Sequence, residues 1–292
     1  MATLQEPAGR SGKRFKVVRQ LFRNRLSVLG LFIVLLVIVA ALFAPYVAPY
    51  PEDAGPKVHF DRALQPPSAA HWFGTDDVGR DIFSRSVFGS RLALQFAVVV
   101  LGIALTIGIP LGLVAGYWSG STLSTLILRV TDVFLAVPPL ALALAVTVAF
   151  KPSLTTAMVA ISFTWWPWFT RLIYGETLKL RTEPYIEAAR ALGQNPMIIN
   201  FKHILPNIIS PIIVKATLDV SFVILLGSSL SFLGVGAQEP TPDWGAMVAR
   251  GRLYLPFEWW VSTMPGFAIF ITVVGFNFLG DGLRDALDVW DQ

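Results

Sequence analysis

Hydrophobic and polar positions divide this chain into long apolar blocks separated by short charged ones. Leu26–Pro51 carries no charge, and neither does Leu92–Leu128. A bilayer-crossing helix needs about 20 apolar residues. The first block therefore holds one span, near Val28–Ala44. The second is too long for one helix and predicts two spans with a break at Tyr117–Thr122. The third span runs from about Leu126 to Phe150 and is interrupted at Pro138-Pro139; the fourth covers Leu154–Thr170, the fifth Ile208 to about Gly234, and the sixth Pro265–Leu279. The pattern predicts an all-α polytopic membrane protein with six transmembrane helices.

Between the fourth and fifth spans lies an amphipathic stretch too polar to cross, Thr182–Asn207. Pro184 suits a first helical turn, where its missing N–H has no partner to lose. Gly193 stands where a left-handed residue would end the helix, and Asn195-Pro196 repeats the start signal of an N-cap followed by proline. Two short helices joined by a kink, lying along a membrane face, are expected here. Before the second span, residues 49–91 read as a loop ending in an interfacial helix, with Ile82, Phe83, Val87 and Phe88 near one face and Asp81 and Arg85 at i, i+4.

Composition agrees with this class. The 292 residues are 54% hydrophobic and 14% charged, with mean hydropathy +0.61, whereas soluble domains carry roughly a quarter charged residues. There is no cysteine, which removes disulfides, thiolate catalysis and thiolate metal sites. Gly12-Lys13 is not a phosphate loop, because Pro7 and Arg14 occupy positions that need Gly and Ser or Thr. The block Leu26–Pro51 is too long for a signal-peptide core of about 7–15 residues and reads as a retained span.

Charge placement matters more than the net +4. Residues 1–25 hold seven basic side chains (Arg10, Lys13, Arg14, Lys16, Arg19, Arg23, Arg25) against Glu6 alone. Such clustering beside a span sets topology, and no nucleic-acid partner is needed to explain it. With both termini inside, inner segments carry 14 of the 23 basic residues and outer segments eight. That orientation puts 182–207 on the cytoplasmic side.

Within the spans, Lys215 and Asp219 are costly in lipid and mark a functional candidate. Their i, i+4 spacing favours a self-neutralising structural pair over a substrate contact. Ser228 lies further along the same span and completes a candidate translocation path. Gly108, Gly112, Gly116 and Gly120 recur every four residues, a stripe that lets another helix approach closely. Arg129 and Asp132 are spaced to neutralise each other, and Trp165, Trp166, Trp168 and Phe169 read as an interfacial aromatic belt. No nucleophile–base pair or metal-ligand set falls on adjoining spans; His59, His71 and His203 are scattered. An intramembrane enzyme is therefore disfavoured, and an ion channel would leave 182–207 unexplained.

The residues Glu187-Ala188-Ala189, then Gly193, then His203-Ile204-Leu205-Pro206 resemble the coupling loop of permease subunits in bacterial ABC importers. His203, where the general pattern has Ile, is similar to the peptide and nickel branch. His71, Gly74-Thr75-Asp76, Gly79-Arg80-Asp81 and Arg85 resemble a block found before the second span of that branch, and Pro240-Thr241-Pro242-Asp243-Trp244-Gly245 resembles its outer loop. Ser124 stands where the family usually has an acid, and Val289 where it usually has Pro. The resemblance implies a type I importer permease fold with an additional N-terminal helix. Its parts would be a cytoplasmic tail (1–25), a first helix (26–48), a periplasmic loop (49–91), a five-helix core (92–283) containing the coupling loop (182–207), and a second tail (284–292).

It further implies that Glu187, Ala188, Ala189, Arg190, Gly193, His203, Leu205 and Pro206 contact an ATPase. The chain itself would be non-catalytic, holding no cofactor, with ATP and Mg bound by partners. Those partners are two ATP-binding subunits, a second and different permease, a periplasmic solute-binding protein and membrane lipid. The expected setting is the bacterial inner membrane, with di- or oligopeptides as cargo; a nickel or other small-solute importer is the alternative.

Overall fold

The computed structural model describes residues 19–288 and is helical, with no strand among them. The long helices are α1 (Arg25–Leu42), α2 (Ile82–Tyr117), α3 (Thr122–Leu135), α4 (Pro139–Ala149), α5 (Leu154–Leu180), α6 (Pro184–Ala191), α7 (Ile209–Phe232), α8 (Trp244–Gly251) and α9 (Trp260–Asp288). Their starts follow local chemistry. Side chains of Asn24, Asp81, Ser121, Ser153 and Asp243 accept hydrogen bonds from N–H groups in the first turns of α1, α2, α3, α5 and α8, groups that have no partner within the helix.

Among the described residues, α1, α2, α7 and α9 are each long and apolar enough to cross a membrane. The pair α3 and α4 passes jointly, but meets at 85° across Pro138-Pro139. The interrupted third span is thus sharply bent. Helix α5 has 27 residues, about 40 Å of rise, but is diluted by Thr, Trp and Pro. Its middle lies inside the bundle, where Ser162, Thr164 and Thr170 are buried.

The core is built around α2, α5 and α7. Along one face of α2, Gly108, Gly112 and Gly116 meet α5 directly: a Cβ at Gly112 would lie 2.6 Å from the Ile173 Cβ, and one at Gly116 2.5 Å from the Thr177 Cβ. The stripe predicted for close packing serves that purpose at three of its four positions. Gly120 instead turns the chain with φ +90°. Helix α1 sits outside this core against α9, where Gly30 touches the backbone of Gly275 and Leu279. Its other face exposes Leu29, Phe32, Leu36 and Leu42.

Ser27 touches Gly282, and Arg284 shares a cavity with Asn207. The start of α1, the end of α9 and the segment 182–207, which forms an elbow between α5 and α7, therefore lie at one end of the bundle, the elbow end. At the opposite end, the cap, residues 48–81 and 233–259 close over the helices. The C-terminal carbonyls of α1 are capped there by Arg91, whose Nε donates to the Ala41 oxygen and whose Nη2 donates to the Leu42 oxygen at 2.9 Å.

Four expectations are corrected. The interfacial helix before the second span does not exist separately, since α2 runs unbroken from Ile82, and Ile82 and Val87 are buried in the cap. The fourth span continues past Thr170 to Leu180. The aromatic run on α5 is no interfacial belt: Trp165, Trp166 and Phe169 are buried among the helices, and of these neighbours Trp168 alone is exposed. Arg129 and Asp132 do not pair; Asp132 takes Arg171 of α5. Arg10, Lys13, Arg14, Lys16 and Val289 lie outside the described residues.

Candidate functional site

At the elbow end, 182–207 forms the expected two helical pieces. α6 ends at Leu192, and Gly193 adopts φ +74°, its N–H donating to the Arg190 oxygen at 3.0 Å, while Gln194 N–H reaches the Ala189 oxygen at 3.2 Å. A left-handed residue here lets the chain reverse without a Cβ clash. Asn195 then caps the second piece, accepting from Met197 N–H at 2.8 Å. That piece passes from an α-turn through a π-helical stretch, Ile199–Ile204, to a tight turn at Leu205–Asn207.

Ile186, Ala189, Ile199 and Ile204 are buried and bolt the segment to the bundle. Glu187, Ala188, Gly193 and Pro206 are exposed, Leu205 is half-buried, and His203 Nε2 lies 2.9 Å from Gln194 Oε1. Arg190 stacks over the Tyr117 ring at 5.3 Å. Beside these residues Tyr185, Leu192, Met197 and Phe201 are exposed, Leu192 to 82%. An ordered elbow, anchored on one face and bare on the other with apolar and charged groups mixed, is suited to receiving another surface.

Lys215 and Asp219 form the pair their spacing predicts, with Nζ 3.0 Å from Oδ2 and 3.1 Å from Oδ1. Two features add to it. Trp165 of α5 donates from Nε1 to Asp219 Oδ2 at 2.8 Å, and the ammonium sits over the rings of Trp168 and Phe169 at 5.7 and 5.4 Å. Such neighbours compensate a charge that lipid would not. The pair borders a cavity of about 800 Å³ that also receives Glu176, Lys179, Pro206 and Arg284 and opens toward the elbow. Ser228 is not part of it. It lies nine residues further along α7, about 13 Å by helical rise, and lines a separate apolar cavity of about 340 Å³ with Leu140, Leu233 and Val248.

The cap holds a polar network whose local sequence suggested a different pairing. Asp81 and Arg85 do not bridge. Asp81 caps α2, accepting from Ser84 N–H at 2.7 Å, and holds His71 Nδ1 at 2.9 Å. Fully buried Asp53 accepts from Asp81 N–H at 2.8 Å and from Arg62 at 3.1 Å, pinning the 48–62 segment to the start of α2. Arg80 binds Asp76 through Nε at 2.8 Å and reaches Glu239 through Nη1 at 2.8 Å, 159 positions along the chain. Burial opposes ionisation of Glu239, but the hydrogen bond from Arg80 and the charges of Arg85, Arg80 and Arg250 outweigh it and hold the carboxyl below its usual range. Asp243, by contrast, is pushed up by burial. The Gly74–Arg85 block thus has a structural reading: it docks the 48–81 loop and the 233–243 loop onto one helix end.

No group of three or more His, Asp or Glu side chains among the described residues converges as a metal site.

Comparison with known proteins is consistent with this geometry. Residues 108–289 match the family model described as binding-protein-dependent transport system inner membrane component. Residues 15–67 match the N-terminal TM domain of oligopeptide transport permease C. The chain is 45% identical over 270 residues to the dipeptide transport system permease protein DppC of Alkalihalophilus pseudofirmus, covering 92% of this chain and 88% of that one. It is 42% identical over 273 residues to the probable D,D-dipeptide transport system permease protein DdpC of Escherichia coli, covering 94% and 90%. It is also 42% identical over 270 residues to the glutathione transport system permease protein GsiD of Pectobacterium atrosepticum, covering 92% and 89%. Among solved structures, a chain of the MetNI methionine ABC transporter in an inward facing conformation shares the fold, with a TM-score of 0.58 and 22% identity. The match covers 70% of this chain and 97% of that one.

Proposed function

Because this chain belongs to the family of binding-protein-dependent transport system inner membrane components, we propose that it passes small peptides across a bacterial cytoplasmic membrane as one permease subunit of an ATP-driven importer. Permeases of this family transport and do not catalyse. ATP and Mg belong to two partner ATPase subunits, and a second permease and a solute-binding protein complete the assembly. Both described termini and the elbow face the cytoplasm in this reading, an orientation that the basic residues Arg19, Arg23 and Arg25 favour.

The observation that carries the proposal is the elbow: buried on one side by Ile186, Ala189, Ile199 and Ile204, bare on the other around Glu187, Ala188, Arg190 and Leu192. An ATPase gripping the bare side loads the C-terminal end of α5 and the N-terminal end of α7 at once. The cavity at Lys215 and Asp219 lies between those two ends and changes shape with them. Ligand release follows if the two shapes bind it unequally. Ser228, further toward the cap, lines the other half of the path.

Peptide cargo is supported by the names of the three relatives above, which specify dipeptide, D,D-dipeptide and glutathione transport. Nickel as cargo finds no comparable support. The test is Gly193→Val. At φ +74° a β-branched residue costs at least about 1–2 kcal/mol, and nothing lies within 4 Å of the added Cβ. The strain therefore distorts the elbow alone. Dipeptide uptake should fall while membrane insertion and yield persist; unimpaired uptake would remove the elbow from the mechanism. Uptake of nickel and not dipeptide by the native assembly would reassign the cargo.

A further inference from the structure

Three guanidinium groups at the cap converge on one carboxylate. Glu239 Oε2 accepts from Arg80 Nη1 at 2.8 Å, while Oε1 lies 3.4 Å from Arg85 Nη2 and 3.4 Å from Arg250 Nη1. The Arg80 and Arg85 side chains are 4% and 1% exposed, whereas that of Glu239 is 41% exposed. Asp76 and Asp77 take part of the positive charge, through Arg80 Nε and Arg250 Nε. Without Glu239 the group would hold three cations against two anions, two of the cations buried, and Arg85 Nε already lacks a hydrogen-bond partner. The geometry is that of a carboxylate-binding site whose occupant comes from the protein's own loop.

The tip of that loop meets the arginines through Glu239 and through the Pro240 oxygen, 3.4 Å from Arg85 Nη1. Residues 233–243 hold no helix or strand, and Leu233 at one end, with Gly245 just past the other in α8, lines the apolar cavity of about 340 Å³. Glu239 therefore fastens a flap over the cap end of α7.

We propose that Arg80, Arg85 and Arg250 form a receiving site for the C-terminal carboxylate of an incoming peptide, and that Glu239 occupies it until displaced. Exchange of one carboxylate for another keeps the buried guanidinium groups neutralised throughout, so the flap is freed without stranding charge in the cap. The proposal rests on the peptide reading for the identity of the ligand, but not for the existence of the site.

The assembled transporter carrying Glu239→Ala, in lipid nanodiscs without the solute-binding protein, provides the test. Acetate, acetamide, glycyl-leucine and glycyl-leucinamide are added separately, and thermal stability and ligand binding are measured. Acetate should restore stability lost in the variant, and acetamide should not. Glycyl-leucine should bind the variant about tenfold more tightly than its amide, the scale of one charge-assisted hydrogen bond, and more tightly than it binds the native protein, where Glu239 competes. If acetate stabilises the variant and neither peptide binds, the carboxylate site stands and the peptide assignment fails. If the variant is destabilised with no response to acetate, Glu239 is a fixed brace and the proposal is overturned. Should Glu239→Ala not assemble, Glu239→Gln keeps the shape of the flap, and the same peptide-over-amide preference decides the matter.

Discussion

Replacing Gly112 by alanine should destabilise the bundle, while the same change at Gly102, ten residues earlier on the same helix, should not. A Cβ at Gly112 would stand 2.6 Å from Ile173 Cβ, 2.8 Å from its Cγ2 and 2.9 Å from the Thr170 oxygen, whereas nothing lies within 4 Å of one at Gly102. Carbon pairs are comfortable at about 3.5–4.0 Å, so α2 and α5 must separate by about 1 Å at the contact. A change of rotamer moves Ile173 Cγ2 but neither Ile173 Cβ nor the Thr170 oxygen, so it does not relieve the contact. Both substitutions gain about 1 kcal/mol of helix propensity, a gain that cancels on comparing the two variants. What remains is the overpacking cost, about 1–3 kcal/mol. Survival of purified protein through gel filtration after graded heating measures it: Gly102→Ala should match or exceed the native protein and Gly112→Ala should fall below it. Equal survival of the two variants would refute close helix contact as the purpose of the glycine stripe.

Two further outcomes follow from charge. Lys215→Met should destabilise by about 3–5 kcal/mol, because it leaves Asp219 buried and unpaired; Lys215→Met with Asp219→Leu should recover most of that loss in the same heating assay. At the cap, the depressed carboxyl of Glu239 contributes stability above its ordinary value of 4.5 that is lost as pH falls through its lower folded value. Glu239→Gln should flatten that acid limb of the stability profile, and an unchanged limb would show that another carboxylate sets it.

What could be read from sequence was chiefly what neighbours in sequence decide. Gly193 and Asn195-Pro196 punctuate the elbow through their own backbones, and each occupies the conformation expected of it. Lys215 and Asp219 likewise needed no residue beyond one helical turn. The misreadings share one cause. Helical spacing says which groups are within reach along a helix, not what waits on the next one. Asp132 left Arg129 for Arg171, 39 positions away, and Arg85 left Asp81 for Glu239, 154 positions away. The tryptophans of α5 failed for a related reason. An aromatic belt and an aromatic core have the same composition, and only the depth and rotation of the helix separate them. Trp165 points inward because Asp219 on α7 offers its indole N–H an acceptor. The Gly74–Arg85 block could be recognised but not explained until the loop carrying Glu239 was seen to close on it.

These contacts restrict how a push on the elbow can travel. Helices α2 and α5 touch from Gly108 to Gly116 at backbone distance, and a contact with no slack transmits displacement without shearing. They move as one body. Helix α7 is held to that body through side chains: Phe96 of α2 lies against Gly227, Trp165 donates to Asp219, and the ammonium of Lys215 lies over two rings. These are contacts between side chains, which rotate, so α7 can shift against α2 and α5 while the Lys215–Asp219 pair itself stays intact. The elbow joins Leu180 of α5 to Ile209 of α7, so a load on it acts across this softer seam. Helix α7 has 24 residues, a strut of about 36 Å, and at its far end begins the loop that Glu239 fastens to the arginines. A shift of α7 large enough to rearrange the Lys215 site must therefore also pull on Glu239, which places the two ion-paired sites at opposite ends of one moving part.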